Sequence, residues 1–315
     1  MVKYHFFALA AAFQFAALAP AQSVVTSSTT DINGNRVSAP SYVSTDHQTT
    51  EVIQSINGRK VPIEQRSSKV LSEDANGKIV ETIVRKFDQT GQLASTEKVI
   101  TEERKTGSGT SLRSTTYVSD VNGNLSQAER KTVESSAQGP ATSTQTVIER
   151  PTINGSFQTV EKRTLVAQPA DSNTTHADLT VYRRSENGDF YAAAREVTDT
   201  SHVGDKTTAK TAEYERLGDS QLQLLRQSVT TTTKRPDGSE IEEVNLYGGS
   251  VPGNVRDPGA PLRLYEQQII DRQKGAGDAV VETLSVRRPT MSDPKILGPA
   301  QKVSETTCKG KCDQK

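Results

Sequence analysis

Residues able to do chemistry are few in this chain. Its four histidines are His5, His47, His176 and His202, and none has a second ligand at a metal-binding spacing such as His-x-x-x-His. No Gly-x-Ser-x-Gly elbow, phosphate loop or dinucleotide glycine fingerprint is present. "GGSVPG" from Gly248 has the glycines of a flexible loop without the lysine of a nucleotide site. Carboxylates are plentiful, but the separation that glycoside hydrolysis needs is a property of the fold. In a chain that is 24% charged, "TEER" from Thr101 and "IEEV" from Ile241 read as solvated strand faces. "DINGN" from Asp31 alternates oxygen-bearing residues as calcium loops do, yet lacks the closing bidentate glutamate, so it reads as a turn. The expectation is no enzyme, no cofactor and no metal site.

The only cysteines, Cys308 and Cys312, stand in "CKGKC" near the end of the chain. In an exported protein such a pair is expected to close a local disulfide, with Gly310 helping the backbone curl. A redox-active pair, a crosslinking thiol and a soft-metal site are the alternatives. A haem attachment would need histidine where Asp313 stands.

Export is read from the first residues. Lys3 precedes an apolar run from Phe6 to Ala19, and small residues occupy positions 19 and 21, the pattern of a signal peptide over 1–21 cleaved before Gln22. The run is shorter than the ~20 apolar residues a membrane span needs, and no later segment resembles a transmembrane helix. The expected location is the periplasm or the outside of the cell.

Composition limits the rest. Formal charge is +0, with 38 basic and 38 acidic residues, which disfavours nucleic-acid binding through a basic field. Aromatic content is 5% and tryptophan is absent, so a thick apolar core is not available. Thr, Ser and Val recur throughout, and the β-branched residues among them suit a half-buried pleated sheet.

The strongest pattern is a repeat. Turn-like segments recur at Asn33-Gly34, Asn57-Gly58, Asn76-Gly77, Gly91, Asn122-Gly123, Asn154-Gly155 and Asn187-Gly188, with a weaker copy at Gly238 and a looser one at Gly218. From Gly91 to Gly188 the intervals are 32, 32 and 33 residues, and the flanks align as "QLASTEK", "NLSQAER", "SFQTVEK" and "DFYAAAR". Asn-Gly favours tight primed turns, so each copy reads as a hairpin tip, with looser returns such as "AQGP" from Ala137 halfway between. The expected fold is all-β: an elongated antiparallel meander of long hairpins built from ~32-residue repeats. The expected domains are the array at 22–245, irregular terminal repeats with a Gly/Pro-rich loop at 246–305, and a cysteine-containing tail at 306–315. In "SFQTVEKRTLV" strict alternation puts Phe157, Thr159, Glu161, Arg163 and Leu165 on one face, so neither face is cleanly apolar. An outer-membrane barrel fits poorly, because charges fall on both strand parities.

"FDQTGQL" from Phe87 and "YVSDVNGNL" from Tyr117 resemble the tyrosine-aspartate (YD, or Rhs-type) repeats of secreted and surface bacterial proteins. That resemblance implies a spiralling antiparallel sheet in an exported bacterial protein and implies no activity. The sequence therefore points to a non-enzymatic scaffold or protein-interaction surface in the cell envelope or outside the cell. A surface adhesin or carbohydrate-binding module is the alternative. The partner is unnamed, and edge strands could pair between copies.

Overall fold

The computed structural model describes residues 41–44, 49–56, 59–107, 109–216, 218, 221–248, 261–275, 279–290, 293 and 296–308. The signal segment 1–21, Asn33, Gly34, Asn57, Gly58, the Cys308 side chain, Cys312 and most of the Gly/Pro-rich loop lie outside them.

The described residues form strands and turns, with no helix among them. The strands are β1 Ser41–Ser44, β2 Thr49–Ile56, β3 Arg59–Asp74, β4 Gly77–Phe87, β5 Leu93–Thr106, β6 Gly109–Ser119, β7 Leu125–Gln138, β8 Ala141–Pro151 and β9 Phe157–Pro169. They continue as β10 Thr174–Arg184, β11 Phe190–Val203, β12 Lys206–Arg216, β13 Leu222–Lys234, β14 Glu240–Gly248, β15 Arg263–Lys274, β16 Val280–Arg287 and β17 Gln301–Cys308. The all-β meander of long hairpins expected from the repeat is what forms. Each strand from β2 to β16 pairs antiparallel with its neighbours in sequence.

The two ends of the meander meet. β1 pairs antiparallel with β2 and, over Ser41–Ser44, parallel with β17 at Glu305–Cys308. In a meander with an odd number of strands, first and last run in the same direction, so a closing pair must be parallel. Carrying the registers round the ring returns to β1 displaced by roughly 18 residues. For 17 strands that stagger corresponds to a tilt of about 40° and a backbone radius of about 15 Å, inside the usual range for barrels. A ring this wide cannot be filled by its own side chains. Among the described residues no side chain is fully buried. A composition too poor for a thick core is thereby accommodated.

Two turn types alternate. At the Gly91, Gly123, Gly155, Gly188 and Gly238 tips the glycine amide donates to the carbonyl three residues earlier, and that earlier residue's amide donates to the carbonyl after the glycine. This is a three-residue loop ending in a positive-φ glycine, from +76° at Gly155 to +94° at Gly188, and not the two-residue primed turn that Asn-Gly implies. Asp120 shows the reason: its Oδ1 accepts the amides of Asn122 and Asn124 and locks the wider loop. The two-residue connections fall at the opposite ends of the strands, at Ala75-Asn76, Gly139-Pro140 and Gly204-Asp205. Gly77 therefore lies just past its turn, as the first residue of β4. A Cβ there would overlap the Glu103 carbonyl oxygen, and one at Gly109, 32 residues on, would overlap that of Ser135.

Each repeat also carries a β-bulge. Ladders slip by one residue at β4/β5, β6/β7, β8/β9, β10/β11, β12/β13 and β14/β15, leaving Ala94, Ala128, Val160, Ala193, Leu225 and Tyr265 as the extra residue. All are apolar or aromatic. A bulge bends its strand and increases local twist, so one bulge at the same place in each repeat curves the sheet steadily toward closure.

Candidate functional site

The bulges decide which side chains share a face. Glu161 pairs with Ile148 and Thr159 with Glu149, so the extra Val160 throws Phe157 and Thr159 onto the face opposite Glu161, Arg163 and Leu165. Strict alternation had grouped all five together. With the slips followed round the ring, the buried strand residues other than the bulge residue Ala193, namely Val52, Val61, Val84, Thr146, Ile148, Leu179, Thr198 and Val286, all fall on one face. Side chains crowd one another on the concave side of a curved sheet, so this is the inner face.

The inner face is laced with ion pairs. Arg163 and Arg183 both meet Glu161, at 2.6 and 3.3 Å. Arg226 meets Glu213 at 2.6 Å. Arg272 gathers three carboxylates from two neighbouring strands: Glu240 at 2.8 Å, Glu242 at 3.0 Å and Glu282 at 2.7 Å. Burial works against the Arg272 charge, but the hydrogen bonds to Glu282 and Glu242 outweigh it and hold the guanidinium above its ordinary value. Lys131 is pushed down by burial and by nearby Arg163. Glu196 is pushed up by burial and by the Glu213 charge. Among the described residues no three His, Cys, Asp or Glu side chains converge as a metal site would.

The outer face carries a different repeat. Lys98, Arg130, Lys162 and Arg195 close the four aligned segments "QLASTEK", "NLSQAER", "SFQTVEK" and "DFYAAAR", and they occupy equivalent places on β5, β7, β9 and β11. Three of them stand over aromatic rings: Lys98 at 4.9 Å from the Tyr117 centroid, Arg130 at 3.9 Å from Phe157 and Lys162 at 4.5 Å from Phe190. The fourth, Arg195, is clamped instead by Asp178, with Nε donating to Oδ1 at 3.0 Å and Nη2 to Oδ2 at 2.6 Å. Tyr117, Tyr182, Tyr214 and Tyr247 lie directly across from Lys98, Lys162, Arg195 and Gln227, each at a bulge. Tyr117, Phe157, Tyr182, Phe190, Tyr214 and Tyr247 thus form one band on the outer face, while Tyr191, across from Arg183, lies on the inner one. From β5 to β12 the outer face holds ten lysines and arginines against five carboxylates: Glu102, Glu134, Glu149, Asp178 and Asp199.

The other residues singled out in the sequence do not join this band. His176 Nδ1 lies 2.8 Å from Asp199 Oδ1 in a cross-strand surface pair, and His202 Nδ1 lies 2.9 Å from Thr207 Oγ1. Glu102 and Glu103 sit on opposite faces, bonded to Arg104 and paired with Lys78. The described turn residues frame the rims of the ring and position the strands. The cation row went unread although its signal was visible, a basic residue at the seventh place of four aligned segments.

Comparison with known proteins returned no matching family model, no matching curated protein and no matching solved structure.

Proposed function

We propose that this chain is an exported, non-enzymatic scaffold of the cell envelope or extracellular space, and that its outer face is the surface on which a partner docks. The observation that carries this reading is that an outer-face cation stacks on an aromatic ring in three successive repeats, Arg130 and Lys162 on the phenylalanine that opens the long strand two strands on and Lys98 on the tyrosine directly across from it. A catalytic site is built once, whereas a surface that presents a stacked cation in repeat after repeat along a curved wall suits binding a partner at several points. The outer face supports a water-exposed wall, because lysines and arginines spread from β5 to β12 would each cost about 2–4 kcal/mol at a bilayer midplane. The signal-like leader and the likeness of the turn segments to YD repeats agree with export.

The test is tagged full-length protein expressed in its source cell. The reading expects a mature N-terminus at Gln22, recovery in the envelope or medium, and a stoichiometric crosslinked partner that K98Q/R130Q/K162Q fails to retain. Cytoplasmic retention with the leader intact would contradict it. So would a hydrolytic activity of the purified mature chain that one carboxylate substitution removes.

A further inference from the structure

The spacing of the outer cation row narrows the class of partner, on the footing that the outer face is the docking surface. Lys98, Arg130 and Lys162 stand two strands apart in succession, a separation of about 10 Å. Stacking holds each cation in place and so lowers the entropy lost when an anion is bound. A ring face satisfies none of the N–H donors; apart from the bond that Arg130 Nη2 donates to Gln127 Oε1 at 3.0 Å, they can make charge-assisted hydrogen bonds to carboxylates. Glu81 lies 3.9 Å from Lys98, Glu149 stands across from Arg130, and the surrounding wall is net basic.

Shape excludes flat partners. The row follows the circumference of a convex wall of about 15 Å backbone radius, so a planar bilayer surface would reach only part of it at once. A linear polymer can follow the curve. We propose that the row Lys98–Arg130–Lys162 binds an acidic polysaccharide, an extended chain whose carboxylates recur every second sugar unit or more often. Three regularly spaced cations then engage one strand of polymer, and each contact raises the effective concentration for the next. Arg195, already neutralised by Asp178, ends the row.

The experiment measures binding of purified mature protein to polymannuronate, with neutral dextran and phosphatidylglycerol vesicles as comparators. The expected result is binding to polymannuronate that weakens as salt rises, falls at least tenfold in K98Q/R130Q/K162Q, and is unchanged in K210Q, an outer-face cation off the row. Equal melting temperatures for the two variants separate lost contacts from lost folding. Equal affinity for dextran, affinity for vesicles as tight as for polymannuronate, or a triple variant that binds like the parent would each overturn the proposal. If polymannuronate is not bound but the crosslinked envelope partner is still retained, the polysaccharide assignment falls and the scaffold reading stands.

Discussion

At the residue scale, two kinds of glycine do different work. Gly123 closes its tip at φ +82°, a conformation that L side chains rarely adopt. Gly77 and Gly109 are instead required by close approach of the next strand's carbonyl. Gly109→Ala should therefore cost more than about 1 kcal/mol in denaturant unfolding, whereas Gly107→Ala, with open space around it, should be near neutral. Turn carboxylates give the pH counterpart. The backbone amide of Asn124 is the largest cause holding the Asp120 carboxyl below its usual range. A carboxyl depressed in the folded state contributes stability above its unfolded value near ~3.9, and that contribution is lost as pH falls through the folded value. Asp120→Ala should melt below the parent at pH 7, with the gap closing in scans below about pH 4. A gap that persists at low pH would mean that the neutral Asp120 side chain holds the turn as well as the ionised one does.

At the scale of elements, the repeat unit is a long hairpin with a three-residue loop at one end, a two-residue turn at the other, and a bulge just inside the wider tip. Turn positions, strand lengths and the antiparallel meander were legible, because Gly and Asn have local reasons to stand where they do. The bulges were not. A bulge residue such as Ala193 or Val160 is marked only by a slip against a partner strand, and no local propensity announces it. Missing it reverses face assignments for the rest of the strand, which is why Phe157 seemed to share a side with Glu161. Deleting Ala193 restores regular alternation without moving any neighbour to the other face. The expectation follows that deleting Ala94, Ala128 and Ala193 together leaves the far-ultraviolet sheet signal intact while flattening the sheet, read as a larger radius of gyration. A triple deletion with unchanged dimensions would remove the bulges from the account of curvature.

At the scale of the molecule, no side chain among the described residues is fully buried. The sheet curves until β1 and β17 meet, charges pair along the inner wall, and a band of cations and aromatics runs along the outer one. Closure could not be read from the sequence, since it depends on a small stagger accumulated over 17 strands and on a four-residue contact between segments at opposite ends of the chain. The outer wall depends on closure as well, because only a convex ring presents Lys98, Arg130 and Lys162 as a curved row. Small-angle X-ray scattering on residues 22–315 tests this most directly. A closed ring of these dimensions should give a radius of gyration near 20 Å with a distance distribution weighted to long distances, as in a hollow shell, by rough estimate from strand spacing and barrel radius. An open sheet of the same strands would be roughly 80 Å across with a radius of gyration above about 25 Å, and that result would contradict the closed ring and the curved docking row with it.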